Sequence, residues 1–135
     1  MPATISPELV EFIKGKPGWV ATASKDGMPN VAIKGSLRVL DEGNLAFADL
    51  FSLKTRKNLQ ENPQVAIMVY EESSRKGYAF KGRAEMLDSG PVFTQMAEQI
   101  KQRMPQLPPP KYVVKVRVDA IFDQSLGPNA GKQIG

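Results

Sequence analysis

Leu45-Ala46-Phe47-Ala48-Asp49-Leu50-Phe51-Ser52-Leu53-Lys54-Thr55-Arg56-Lys57 carries a short apolar strand straight into a helix whose start holds three cations. The pattern predicts a strand over 45–49 and a helix over 52–62, stopped by Asn62-Pro63. Ser52 stands where an N-cap belongs. The amides of Leu53, Lys54 and Thr55 then lack intrahelical acceptors, and free amides at the positive end of a helix dipole hold phosphate well. Lys54 adds charge and Thr55 a hydroxyl donor. Cations weaken a first helical turn unless an anion sits there. Lys54, Arg56 and Lys57 therefore make a local conflict, of the kind that gathers at functional sites. The same run also reads as an exposed helix with solvated lysines. Asp49 either faces the ligand or simply terminates its strand.

Outward from this stretch the chain is mostly strands. Towards the N-terminus, a helix over about 6–16 opens on Ser6 and Pro7 and places Leu9, Val10, Phe12 and Ile13 on one stripe before Gly15, Pro17 and Gly18 stop it. Strands at 19–24 and 31–40 flank Lys25-Asp26-Gly27-Met28-Pro29, whose Asp-Gly pair signals a hairpin. Gly35, inside the second, reads as a bulge or a site of close approach. Towards the C-terminus come strands at 65–70 and 78–87, then a helix over about 90–104 that keeps Phe93, Met96, Ala97, Ile100 and Met104 at helical spacing. After a Pro-rich linker, Tyr112, Val114, Val116 and Val118 alternate with Val113, Lys115, Arg117 and Asp119 as a half-buried strand. Short strands joined by tight turns argue one domain over 1–135, a mainly antiparallel β-barrel with flanking helices.

The chain has 135 residues, with 18 Lys+Arg against 14 Asp+Glu, and neither Cys nor His. That composition removes disulfides, thiolate and imidazole metal sites and the Ser-His-Asp triad. The scattered carboxylates suggest neither a metal site nor a catalytic acid/base pair, so redox chemistry here calls for a borrowed cofactor. A formal net charge of +4 favours an anionic ligand without demanding nucleic acid. No basic-then-apolar leader opens the sequence, and the longest apolar run, 65–70, is far too short to span a membrane. A soluble cytoplasmic protein is expected.

Two further motifs need weighing. Lys76-Gly77-Tyr78-Ala79-Phe80 matches the first five positions of an RNA-recognition strand, then fails at Lys81 and Arg83. A single-stranded nucleic-acid binder using Tyr78, Phe80, Lys81 and Arg83 is the alternative reading, against two aromatics that merely face a core. Gly127-Pro128-Asn129-Ala130-Gly131-Lys132 misses the P-loop spacing. Asn129 and Lys132 are candidates to close over a ligand, against a plain loose terminus.

The order of parts carries a resemblance. A Gly-x-Pro strand start, a strand ending near Val39-Leu40, Phe47-Ala48-Asp49, the basic Lys54-Thr55-Arg56-Lys57 helix start, Asn62-Pro63 and Gly82-Arg83-Ala84-Glu85-x-Leu87 together resemble the pyridoxamine 5′-phosphate oxidase-like, FMN-binding split-barrel superfamily. The likeness covers Trp19 to about Phe122 and looks closest to small stand-alone FMN-binding proteins. It implies a six-stranded antiparallel split β-barrel with flanking helices. It also implies a homodimer with non-covalent FMN in two sites at the subunit interface. Carried over residue by residue, Lys54 and Thr55 would hold the phosphate, at the helix start that Ser52 opens. Ala32, Ile33, Lys34 and Gly35 would line the ribityl chain and ring edge. Phe47 and Ala48 would lie beneath the flavin. Gly77 falls where the true oxidases carry a Gln, and their late Trp and Arg/His substrate motif has no counterpart, which argues against vitamin B6 oxidation. The expectation is an FMN-dependent oxidoreductase, flavin reductase-like or an electron carrier, with a small-molecule donor or acceptor.

Overall fold

A computed structural model describes residues 2–135. Its helices are α1 (Pro7–Ile13), α2 (Leu53–Glu61) and α3 (Pro91–Arg103). Its strands are β1 (Gly18–Ala23), β2 (Pro29–Lys34), β3 (Arg38–Asp41), β4 (Asn44–Asp49), β5 (Gln64–Glu71), β6 (Lys76–Leu87) and β7 (Tyr112–Asp123). All seven strands join one antiparallel sheet in the order β2-β1-β5-β6-β7-β4-β3. The two edge strands, β2 and β3, are consecutive in the chain and linked only by residues 35–37, so the sheet must roll round until its edges nearly meet. No ladder joins them among the described residues, and the antiparallel barrel stays split along that seam.

The single strand expected over 31–40 is thus two strands on opposite sheet edges, and the sheet counts seven strands rather than six. Gly35 is neither a bulge nor a close approach: a Cβ there would meet nothing within 4 Å. The corner is set by its neighbours instead. Leu37 turns into the core, and the Ser36 hydroxyl accepts the Ala48 amide at 2.8 Å, tying the corner to β4.

Inside the barrel, Val20, Leu45, Phe47, Ile67, Phe80, Val116 and Val118 are 0% exposed. Alternation along β5, β6 and β7 supplies this face, because successive side chains point to opposite sides of a strand. Ile5, Leu9 and Ile13 of the α1 segment join the same cluster, with Leu9 N donating to the N-cap Ser6 hydroxyl at 3.3 Å. On the outside, α3 lays Met96 against Ala46 and Val113. No helix of the described residues is long and apolar enough to cross a membrane.

β6 crosses β7 closely at a bulge between Lys81 and Gly82. A Cβ at Gly82 would collide with the Arg117 carbonyl. Gly82→Ala is therefore expected to cost about 2 kcal/mol, as overpacking against rigid backbone does. The melting temperature should fall by roughly 8 °C for a domain of this size. Unchanged melting would show that β6 shifts freely to admit the methyl group.

The tail is ordered. Past Asp123 the chain turns at Gly127 and Gly131, both at positive φ, and returns along the free edge of β7. Ile134 N donates to Ile121 O at 2.8 Å, Ile121 N to Gly135 O at 3.1 Å, and Phe122 bridges Gln133.

Candidate functional site

The site forms where β2, β4 and α2 end or begin together. β4 finishes on Asp49, which is 1% exposed. An uncompensated carboxylate would be costly there, and three donors compensate it. Arg56 Nε and Nη2 reach its two oxygens at 2.6 and 3.1 Å, and the Ser52 amide donates at 3.0 Å. Burial pushes the Asp49 carboxyl up, but the Arg56 hydrogen bonds, the Ser52 amide and the Arg56 charge outweigh it and hold it below the usual carboxylate range. The same hydrogen bond to Asp49 raises Arg56. Asp49 therefore fixes the start of α2, through Arg56 and the Ser52 amide.

That fixation frees the helix end. Ser52 sits at the N-cap with φ −98° and ψ 60° and makes no side-chain cap. The first intrahelical bond runs from Arg56 N to Ser52 O at 2.8 Å. Among the described residues the amides of Leu53, Lys54 and Thr55 have no acceptor. The Ser52 hydroxyl instead receives the Lys34 ammonium from the end of β2. Lys34 lies on the inward side of β2, where burial lowers it from its ordinary value, Asp49 pulls it back up and Arg56 pushes it down again. One helix end thus gathers three free amides, two lysines (Lys34 and the exposed Lys54) and the Ser52 hydroxyl. All of these groups can donate, which suits a phosphate dianion.

The other candidates divide. Ala32 and Lys34 face inward and Ile33 outward, at 53% exposed. Gly35 opens the corner beside Lys34. Thr55 is buried. Phe47 is wholly in the barrel core and supports the site from below, and Ala48 gives its amide to Ser36. Asn129 and Lys132 lie elsewhere. Asp49 pairs with Tyr112 at the first residue of β7, whereas the tail folds over its last residues. Within one subunit the two are not brought to Lys54. Arg56 makes the site's shortest ion pair, yet within the basic run nothing in the sequence sets it apart from Lys54 and Lys57. Its partner Asp49 lies seven positions back, beyond a loop whose path the spacing does not give.

The nucleic-acid alternative loses its aromatics. Phe80 is 0% exposed, and Tyr78 packs edge-on against Phe12 with ring centroids 5.1 Å apart, so neither offers a face to a base.

Residues 5–125 match the sequence model of the family described as pyridoxamine 5′-phosphate oxidase. The chain belongs to that family. Among relatives of this pyridoxamine 5′-phosphate oxidase family member, an uncharacterized protein of Methanocaldococcus jannaschii is 36% identical over 132 residues, covering 96% of this chain and 87% of the relative. The crystal structure of HupZ from Group A Streptococcus superposes with a TM-score of 0.83 at 28% identity, over 94% of this chain and 99% of that one. An FMN-binding protein from Syntrophomonas wolfei shares the family fold at TM-score 0.76 and 17% identity, over 92% of this chain and 86% of that one.

Proposed function

We propose that this chain binds FMN, with the phosphate on the first turn of α2, and works as a dimeric oxidoreductase or electron carrier. The observation that carries the reading is the α2 start: three acceptor-free amides among Lys34, Ser52 and Lys54, with the one nearby carboxylate already neutralised by Arg56. Family membership and the shared fold of an FMN-binding protein support it. Bound there, the flavin would supply the hydride or electron chemistry that a chain without Cys or His lacks. The protein's part is to hold the phosphate, orient the ring and keep water away. The decisive experiment is direct: the purified protein should carry or take up FMN in a near 1:1 ratio per chain. A colourless protein that FMN cannot reconstitute would sink the reading.

A second copy of the chain is the natural cover for the outer face of β2, β1 and β5. Trp19 (48% exposed), Val31 (62%) and Ile33 (53%) project there, with Trp19 cross-strand from Ile33 on one side and Met68 on the other, and Tyr70 (40%) further along β5. Along β5 and β6 it is Ala66, Met68, Tyr70, Ala79 and Lys81 that point outward, while Val65, Ile67, Val69, Tyr78 and Phe80 point in. A contiguous apolar patch of this kind marks an association surface. Because Ile33 borders Lys34, a partner on this face would also wall the cofactor site. Light scattering should return about twice the 14.8 kDa chain mass. Ile33→Lys should yield monomers that hold FMN less tightly. A monomeric wild-type protein that still keeps FMN would refute the shared site.

A further inference from the structure

A second cavity, of about 530 Å³, opens on the other side of the residue 35–37 corner, between α1, β3 and α3. Its volume is in the range of small-molecule sites. Its floor is apolar, made by Ile13, Leu37 and Met96, all largely buried. Its rim carries Lys14, Lys16, Arg38 and Arg103 with Gln99 and Gln102, and no carboxylate lines it. Two of the four cations are engaged: Lys14 reaches Glu11 at 3.5 Å on the surface, and Lys16 reaches Glu71 at 3.2 Å and the Phe12 carbonyl at 2.6 Å. Among the described residues, Arg38 and Arg103 have no carboxylate within 4.0 Å. They come from different elements, the start of β3 and the last turn of α3, yet flank one opening.

We propose that this cavity binds a small organic anion with an apolar, ring-sized body, its phosphate or carboxylate held by Arg38 and Arg103. The apolar floor would take the body. A guanidinium fork matches either anion and keeps its charge at any physiological pH. The cavity and the α2 phosphate site share the β2–β3 corner as a wall, since Gly35 and Ser36 line the cavity and Lys34 precedes them. On the FMN reading, which this last step rests on, the bound anion is the flavin's electron partner. The binding itself does not depend on it.

The test uses three fluorescent probes of one shape: 1-naphthyl phosphate, 1-naphthoate and the neutral 1-naphthol. Each is titrated into the full-length protein as purified, with FMN content measured alongside. Both anions should bind more tightly than 1-naphthol, and the two arms show whether phosphate or carboxylate is preferred. Arg38→Gln and Arg103→Gln should each weaken the preferred anion by about tenfold or more, the worth of a charge-assisted hydrogen bond. Naphthol binding, FMN affinity and melting temperature should barely change. Lys54→Ala should weaken FMN and leave the naphthyl anions alone. Anion binding that ignores both arginine substitutions, or no anion binding at millimolar probe, overturns the proposal. FMN binding without anion binding defeats only this site, and anion binding without FMN defeats only the cofactor reading.

Discussion

Asp49→Asn is expected to lower the unfolding free energy by about 3–4 kcal/mol at neutral pH, because breaking one side of a desolvated ion pair strands the other charge. Asp49 is 1% exposed and the Arg56 side chain 19%, with Nε to Oδ2 at 2.6 Å. Arg56 can turn partly to water, which keeps the loss near the low end for buried pairs. Asn can still accept the Ser52 amide, so the loss reports the charge rather than the loop. The double variant Asp49→Asn, Arg56→Gln should be less damaging than the two single losses added, since neither charge is then stranded. The acid dependence has a definite sign. The folded carboxyl titrates below its ordinary value, so its contribution is complete above the unfolded value of about 3.9 and disappears as pH falls through the lower folded one. Asp41 and Glu71 are held low as well, by the Asn44 side chain and by Ser74 with Lys16. The difference between wild type and Asp49→Asn isolates Asp49 from these: it should be large at pH 7 and shrink below about pH 4. Urea unfolding at pH 7 and pH 3 measures it. A gap that is equal at both would mean that the carboxylate charge does not hold the site.

The pair also shows where sequence reasoning stops. Local patterns were legible. Period-two alternation set β7, a short apolar run set β5, Asp26-Gly27 set the β1–β2 turn, Ser6-Pro7 opened α1, and Pro105 followed the end of α3. The basic start of α2 was legible too, because free first-turn amides follow from the helix itself. What failed depended on distant parts of the chain. Residues 31–40 carry no proline and no strong turn pair to mark a break, and the division is made by the burial of Leu37 and the Ser36–Ala48 bond. In β6, alternation put Tyr78 and Phe80 on one side, and of the two readings weighed for them the core-facing one holds. The tail's glycines and proline fit a shaped loop, but nothing in their spacing says where that loop returns. Its return on β7 is specified by backbone groups that β4, paired no further than Arg117, leaves free at 121–123. Its position makes Ser52 a helix cap, whereas in the structure Asp49 takes the Ser52 amide and the hydroxyl goes to Lys34. No spacing rule contains that exchange, because it requires β2 and β4 to end side by side.

Lys54→Ala should weaken FMN by about 10- to 150-fold while leaving riboflavin nearly unchanged. The range follows from a charge-assisted hydrogen bond worth roughly 1.5–3 kcal/mol. Riboflavin is the control because it shares the ring and ribityl chain and lacks only the phosphate. Lys54 is exposed, in the first turn of a helix with no acidic residue there. Removing it should therefore not harm folding and should slightly favour the free helix, since a cation opposes the dipole at that end. The two effects have opposite signs: lower FMN affinity together with unchanged or raised stability of the ligand-free protein. A structural role for Lys54 would lower both. Thr55→Val should act in the same direction on FMN but more weakly, and with some loss of stability, because Thr55 is buried. High salt should narrow the difference between FMN and riboflavin, as screening of an exposed lysine requires. Equal losses of FMN and riboflavin in Lys54→Ala would show that Lys54 does not hold the phosphate, and would take the phosphate away from the first turn of α2.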